Sequence, residues 1–405
     1  MTDDYGENTR AVHLPPPPAL DSEALALPVI RSSTFAFESA QEYADVLGGR
    51  QPGFSYTRID NPTAAAFASA VASLEGARCD GDIAAEAFGS GMAAITAVLM
   101  SLTHAGAHVV APAACYGGTF SLLRGVLSRF GVETTFVPGN DAADFGAACR
   151  PDTALVWAET IANPTLAVAD LPALADIARG VGAVFVVDST FASPAVCRPL
   201  EHGADVVVHA ATKYIGGHSD ATGGVVVGKP DVLAKVRAVR METGAILAPD
   251  DAFLLHRGLA TLPLRVARQC ATAREFAETI AKHPRVEKLL YPGLADHPDH
   301  ERAGRLFDAG RYGACVTVTP EGGREAGMVL CDRLRLARIA PSLGGHHTIV
   351  SHAASTTHRQ LDDAELTAAD IDPGAVRFSI GLEDAADLIA DAVQALDNLD
   401  SATSA

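Results

Sequence analysis

From about residue 80 the chain alternates between two patterns. Short, nearly continuous apolar runs rich in β-branched residues are separated by longer stretches whose apolar positions recur every three to four residues. The runs Ile83–Phe88, Ala107–Ala111, Val132–Val137, Ala154–Glu159, Ala183–Asp188, Asp205–His209 and Gly224–Gly228 read as strands. Gly91–Thr103, Gly117–Phe130 and Leu171–Gly180 read as helices. Strands that are apolar throughout are buried on both faces, so the alternation predicts an α/β fold: a mostly parallel sheet with helices on each side. Ligands of such sheets bind beyond the C-terminal strand ends. A long helical stretch is predicted over about Asp251–Lys282. Strands near 286–290, 314–319 and 375–380, with a final helix over 384–398, predict a smaller α+β region at the C-terminus.

The first 60 residues lack this order. Pro15 to Pro18 form a stiff, extended run with little to bury by itself. The chain therefore divides into an arm over 1–60 that is expected to cross to a partner subunit, a large domain over 61–255 and a C-terminal domain over 256–405.

Composition narrows the classes. Of 405 residues 48% are apolar but only 6% aromatic, which suits Ala, Val and Leu helices packed on a parallel sheet. The formal net charge is −18 and no basic block offsets it, which argues against a nucleic-acid partner. No apolar run is long enough to cross a bilayer, and the start Met-Thr-Asp-Asp-Tyr is not followed by an apolar signal core. Seven cysteines without a Cys-x-x-Cys pair suit reduced thiols, so a cytoplasmic location is expected. Cys115 reads as a small packing residue.

Against this background two strand ends carry chemistry. Val-Val-Val-His-Ala-Ala-Thr-Lys (206–213) ends in Lys213 and opens into Gly216-Gly217, and Ala-Val-Phe-Val-Val ends in Asp188. An amine in a pocket forms a Schiff base with an aldehyde, and a carboxylate facing a pyridine nitrogen keeps that nitrogen protonated. Together they point to pyridoxal 5′-phosphate (PLP), against the plainer alternative of a surface lysine and a helix-capping aspartate. In Ala-Phe-Gly-Ser-Gly-Met (87–92) a strand turns into a helix whose free amides suit a phosphate, with the Ser90 hydroxyl beside them. A simple turn capped by Ser90 is the alternative. Tyr56 and Arg58, in Ser-Tyr-Thr-Arg-Ile-Asp-Asn-Pro (55–62), offer a second set of phosphate donors from the arm, or else a solvated turn. Tyr116 follows the strand at 107–111 and falls at the same sheet edge. There it could stack on the pyridine ring and supply a phenol, or be an ordinary aromatic with a satisfied hydroxyl.

This set resembles the Cys/Met-metabolism family of PLP enzymes, from Thr34-Phe35 to Arg377-Phe378-Ser379-Ile380-Gly381-Leu382-Glu383. The family includes cystathionine γ-synthase, cystathionine γ-lyase, methionine γ-lyase and O-acetylhomoserine sulfhydrylase. The resemblance implies the fold type I PLP-transferase architecture and a homotetramer of two intimate dimers. It implies that Lys213 holds the cofactor, Asp188 pairs with the pyridine nitrogen, and Tyr116 stacks on the ring and acts as an acid. It further implies that Gly91 and Met92 give amides, and Ser90 and Thr212 hydroxyls, to the phosphate. Tyr56 and Arg58 would reach the phosphate of the adjacent subunit. Asn163 would lie near the ring oxygen, and Arg377, helped by Ser342, would clamp the carboxylate of an amino-acid substrate.

The chain departs from the family's pattern at Ala210, where many members have Ser, and at Pro341, where cystathionine lyases often have Glu. It departs again at His346 and His347, and at Gly118, where many methionine γ-lyases have Cys. Thr-Gly-Ala-Ile-Leu-Ala-Pro (243–249) leans toward methionine γ-lyase, and Ser-Thr-Thr-His-Arg-Gln-Leu (355–361) toward the sulfhydrylases. The expected reaction is γ-elimination on an amino acid with a γ leaving group; γ-replacement by a thiol on an O-acylhomoserine is the alternative. A PLP-binding protein without turnover would not need base, acid and clamp together. His346, His347, His352 and His358 lack acidic or cysteine ligands at zinc-site spacing, so no metal is expected. They are expected to line the substrate entrance or to form ordinary hydrogen bonds.

Overall fold

The computed structural model describes residues 24–308, 310–356, 364, 366 and 370–400. Seven strands form the larger sheet: β1 (Ala84–Phe88), β2 (His108–Pro112), β3 (Glu133–Val137), β4 (Thr153–Glu159), β5 (Val184–Asp188), β6 (Val206–His209) and β7 (Gly224–Gly228). Their order is β1-β7-β6-β5-β4-β2-β3. Strands β2 to β6 pair in parallel, and β7 runs antiparallel to both neighbours, so it alone is reversed.

The apolar strand runs are explained by burial on two faces. Val206 and Val208 join a core with Ala94 and Val98 of helix Gly91–Leu102 and Val236 of helix Pro230–Thr243. The residue between them, Val207, faces the opposite core with Phe67 and Val71 of helix Pro62–Glu75. Each such valine, at 0% exposure, contributes roughly 1.5–3 kcal/mol. That second core is continuous with the smaller sheet, reaching Val316 and Val376.

The smaller sheet comprises β8 (Val286–Leu290), β9 (Cys315–Pro320), β10 (Arg338–Ile339), β11 (Ile349–His352) and β12 (Val376–Ser379), in the order β10-β11-β12-β9-β8. All its pairings are antiparallel except β10 with β11. Asp391, on helix Ala385–Asp397, ties down the approach to β10 by accepting from the backbone N–H of Arg335, Leu336 and Ala337.

Two predicted helices need correction. The stretch expected over 251–282 is two helices, Pro249–Leu259 and Leu262–Ile280. Pro263 lacks an N–H and suits only a first turn, so the chain restarts there. The buried guanidinium of Arg265 bridges the break, donating to the carbonyls of Gly258, Tyr214 and Ile215. Gly217 permits that approach: with φ +71° it is left-handed, and a Cβ there would fall 1.9 Å from Arg265 Nη1. The loop after Lys213 is thereby fixed. The helix expected over 117–130 is an α-turn at Gly117–Ser121, a π-turn at Leu122–Val126 and a 3₁₀ turn at Leu127–Phe130.

The arm includes a helix, Ala40–Leu47, capped by Ser39. The proline run lies outside the described residues. No described helix is long and apolar enough to cross a membrane.

Candidate active site

A cavity of about 330 Å³ opens at the C-terminal edge of the larger sheet and reaches the smaller one. Five strand ends feed it. Beyond β1 come Ser90, Gly91 and Met92, beyond β2 Tyr116, at the end of β4 Glu159, at the end of β5 Asp188, and beyond β6 Thr212 and Lys213. Asn163 follows β4, and Pro341, Ser342 and Arg377 complete the wall from the other sheet. The strand directions explain the convergence, because the turns that follow β1 to β6 all land on one edge.

Lys213 Nζ donates to Ser342 Oγ at 2.6 Å. Burial, and next the positive charge of Arg377, bring its amine down to about 8, so a useful fraction is neutral near pH 7. Asp188 Oδ1 accepts from Thr190 N at 2.9 Å, while burial raises its carboxyl above the usual range. Arg377 is buried on β12. Its Nη1 donates to Asn163 Oδ1 and its Nη2 to the Ser342 carbonyl, each at 2.7 Å, and its guanidinium lies 5.6 Å from the centre of the Phe191 ring. Burial lowers the Arg377 pKa. Ser342 therefore holds both cations, one through its hydroxyl and one through its carbonyl. It does so at φ +89°, a conformation costing a non-glycine residue about 1–3 kcal/mol.

At the other end of the cavity, Ser90 Oγ caps helix Gly91–Leu102 by accepting from Ala93 N, the plainer of its two sequence readings, and Ser90 lines the cavity. The Thr212 hydroxyl donates to Gly223 O and accepts from Gly223 N. Tyr56 and Arg58 lie outside the lining of this chain's own cavity. Tyr56 is exposed, and Arg58 Nη1 donates to Met241 O at 2.7 Å.

Sequence reasoning missed Glu159. It is 4% exposed, stands in register with Asp188 on the neighbouring strand, and accepts from the backbone N–H of Tyr116 at 2.5 Å. Burial, and next the charge of Asp188, push its carboxyl up to about 8. The signal was present: the run at 154–159 ends in an acid just as the run at 183–188 does. Phe191, Ile161 and Leu343 were also missed as cavity lining.

The histidines do not line the cavity. The His346 and His347 rings lie 4.1 Å apart, with His218 5.9 Å from His346. His352 forms ordinary hydrogen bonds, to Ser355 and to the Pro373 carbonyl. His358 lies outside the described residues. Among the described residues no group of three or more His, Cys, Asp or Glu could hold a metal ion. Cys115 is buried at 2% exposure, as expected of a packing residue.

A lowered amine, a buried carboxylate on the neighbouring strand and helix-terminal amides around one cavity fit the aldehyde, the pyridine nitrogen and the phosphate of PLP. The site and fold thus define a PLP enzyme of the doubly wound α/β type.

The comparisons agree. The model of the Cys/Met metabolism PLP-dependent enzymes matches residues 8–397. An L-methionine gamma-lyase of Treponema denticola is 42% identical over 380 residues, covering 93% of each chain. A cystathionine gamma-synthase of Mycobacterium tuberculosis is also 42% identical, over 96% of this chain and 97% of its own. Among solved structures, a chain named as an O-acetylhomoserine (thiol)-lyase of Campylobacter jejuni, bearing N′-pyridoxyl-lysine-5′-monophosphate, has a TM-score of 0.88. It is 29% identical, over 92% of this chain and 96% of that one. This chain belongs to the Cys/Met metabolism family of PLP-dependent enzymes.

Proposed function

We propose that the protein is a γ-lyase. It acts on an L-amino acid bearing a leaving group on Cγ, methionine-like or a substituted homoserine, and with one water gives the released group, ammonia and a 2-oxo acid. The observation that carries this reading is Lys213 Nζ, half neutral near pH 8 and held beside Arg377 in one cavity. It places a base next to a carboxylate clamp.

Bound PLP supplies the electron sink for charge developing on the substrate carbon chain. Lys213 and Asp188 would hold it, with Ser90, Gly91, Met92 and Thr212 toward its phosphate and Tyr116 toward its ring. Arg377 binds the substrate carboxylate, and Ser342 and Asn163 hold its guanidinium in the cavity wall by the two bonds described. The Lys213 amine takes the Cα proton and then a Cβ proton. The Tyr116 phenol gives a proton to the leaving group on Cγ. Pro341 adds no charge to the wall, which suits an apolar γ substituent better than a distal ammonium and carboxylate.

The arm segment completes the site of a neighbouring copy. Arg240 Nη2 donates to Ile59 O and Arg237 Nη1 to Asp60, which fixes Tyr56 and Arg58 away from their own cavity. That supports a subunit-crossing arm over 1–60 ahead of a large domain (61–255) and a C-terminal domain (256–405), in a homotetramer of two dimers. All seven cysteines are free thiols, which supports a cytoplasmic location.

The test is incubation of the holoenzyme with L-methionine and O-substituted homoserines, with and without an added thiol. A 2-oxo acid and ammonia formed in equal amounts are expected. Thioether product without oxo acid would instead make the protein a γ-replacing transferase.

A further inference from the structure

Glu159 is the one buried carboxyl of the cavity that the mechanism above leaves unused. Its neighbours are charged or titratable on several sides. Asp188 comes from β5, Cys115 and Tyr116 from the loop after β2, and Lys213 and Arg377 from across the cavity. His209 acts on Asp188 from the end of β6. The Asn163 backbone acts on the Glu159 carboxyl from the loop after β4, and that carboxyl accepts from the backbone N–H of Tyr116. That N–H needs a partner. Tyr116 stands just before helix Gly117–Ser121 at φ −44°, ψ 128°, and its side chain makes no capping hydrogen bond. Its ring is 45% exposed, so side-chain packing holds it weakly.

We propose that Glu159 is a positioning residue. By pinning the Tyr116 backbone to the end of β4, beside Asp188, it fixes the phenol relative to the carboxyl that faces the pyridine nitrogen. The inference rests on the acid role given to Tyr116. It follows from parallel pairing: Glu159 and Asp188 are partners in the ladder, so one strand pair sets both the height of the Asp188 carboxyl and the height of the tyrosine.

Three variants in the holoenzyme test it. Glu159→Leu fills the space without an acceptor, Glu159→Gln keeps an acceptor oxygen, and Tyr116→Phe removes the phenol. Glu159→Leu is expected to lower kcat roughly 10- to 100-fold with KM within about threefold, the scale of one buried N–H left unpaired. Glu159→Gln is expected to recover most of that loss. Tyr116→Phe is expected to cost at least about fivefold less in the Glu159→Leu background than in the wild type, because coupled groups are not additive. Losses that simply multiply would overturn the inference. If the wild type carries lysine-bound cofactor absorbance while the losses multiply, only the inference fails. If that absorbance is missing, the PLP reading of Lys213 fails with it.

Should Glu159→Leu not fold, Glu159→Ala takes its place in the same cycle: a Tyr116→Phe cost at least about fivefold smaller in that background is expected, and losses that multiply would overturn the inference.

Discussion

The two sheets meet at one cavity but contribute to it differently. The larger sheet delivers its groups at consecutive strand ends, close to short sequence motifs: Ser90 to Met92, Tyr116, Glu159, Asp188 and Lys213. The smaller sheet delivers Arg377 from within an antiparallel strand and Ser342 from a loop 35 residues earlier, joined by one hydrogen bond. In the first region the chemistry follows from parallel topology, which stacks turns on one edge. In the second it depends on a single strained residue that spans the two sheets, with Lys213 on one side and Arg377 on the other. The roles proposed above therefore divide between the sheets: the proton-transferring groups on the larger, the substrate clamp on the smaller.

Removing the amine should give the largest effect and set the reference for the larger sheet. Lys213→Ala is expected to lose roughly 10³-fold or more in kcat, the upper range for a positioned base, and to show no lysine-bound absorbance. Arg377→Lys probes the other region. It keeps the charge but not the fork, so KM should rise roughly 10- to 100-fold while kcat stays within a few-fold. A kcat loss as deep as that of Lys213→Ala would erase the distinction between the two regions.

Asp391→Ala reaches the smaller sheet away from the cavity. Three backbone N–H groups lose their acceptor, so urea denaturation should show a loss of about 2–3 kcal/mol while kcat per folded molecule is unchanged. The smallest effect is a pH shift. Only the neutral amine captures an aldehyde, so PLP uptake by the cofactor-free protein should accelerate as pH rises, with a midpoint near 8. The Arg377 charge is part of the cause, so Arg377→Met should move that midpoint upward. No movement would mean that burial alone sets the amine and that the two regions are electrostatically separate.

Much of the larger sheet was legible because burial on both faces leaves continuous apolar runs, and seven such runs became β1 to β7. Helix Pro62–Glu75 was not read. It is largely alanine and has no sharp apolar stripe, so its signal lies in Asn61-Pro62, where Asn61 accepts from Thr63 N and Ala64 N. Strands β10 and β11 are too short to show a period. The split at Ala260–Thr261 was hidden by continuous helical periodicity and betrayed only by Pro263.

Among site residues, Lys213, Asp188, Tyr116 and Arg377 could be named from local patterns and family likeness, and the fold brings all four to one cavity. Glu159 was passed over although its run ends in an acid as that of Asp188 does, because an acid at a strand end is ordinary until its neighbour in the ladder is known.

The sequence by itself determined the parallel architecture, the lysine and carboxylate at strand ends and the membership of a PLP family, since each is written in residues close together or in a pattern of burial. Only the tertiary structure decided which oxygen holds the Tyr116 backbone, how Ser342 joins Lys213 to Arg377, and that the neighbouring histidines stand apart from the cavity. Those outcomes depend on strand register and on hydrogen bonds between residues 35 to 129 positions apart, and no local pattern encodes them.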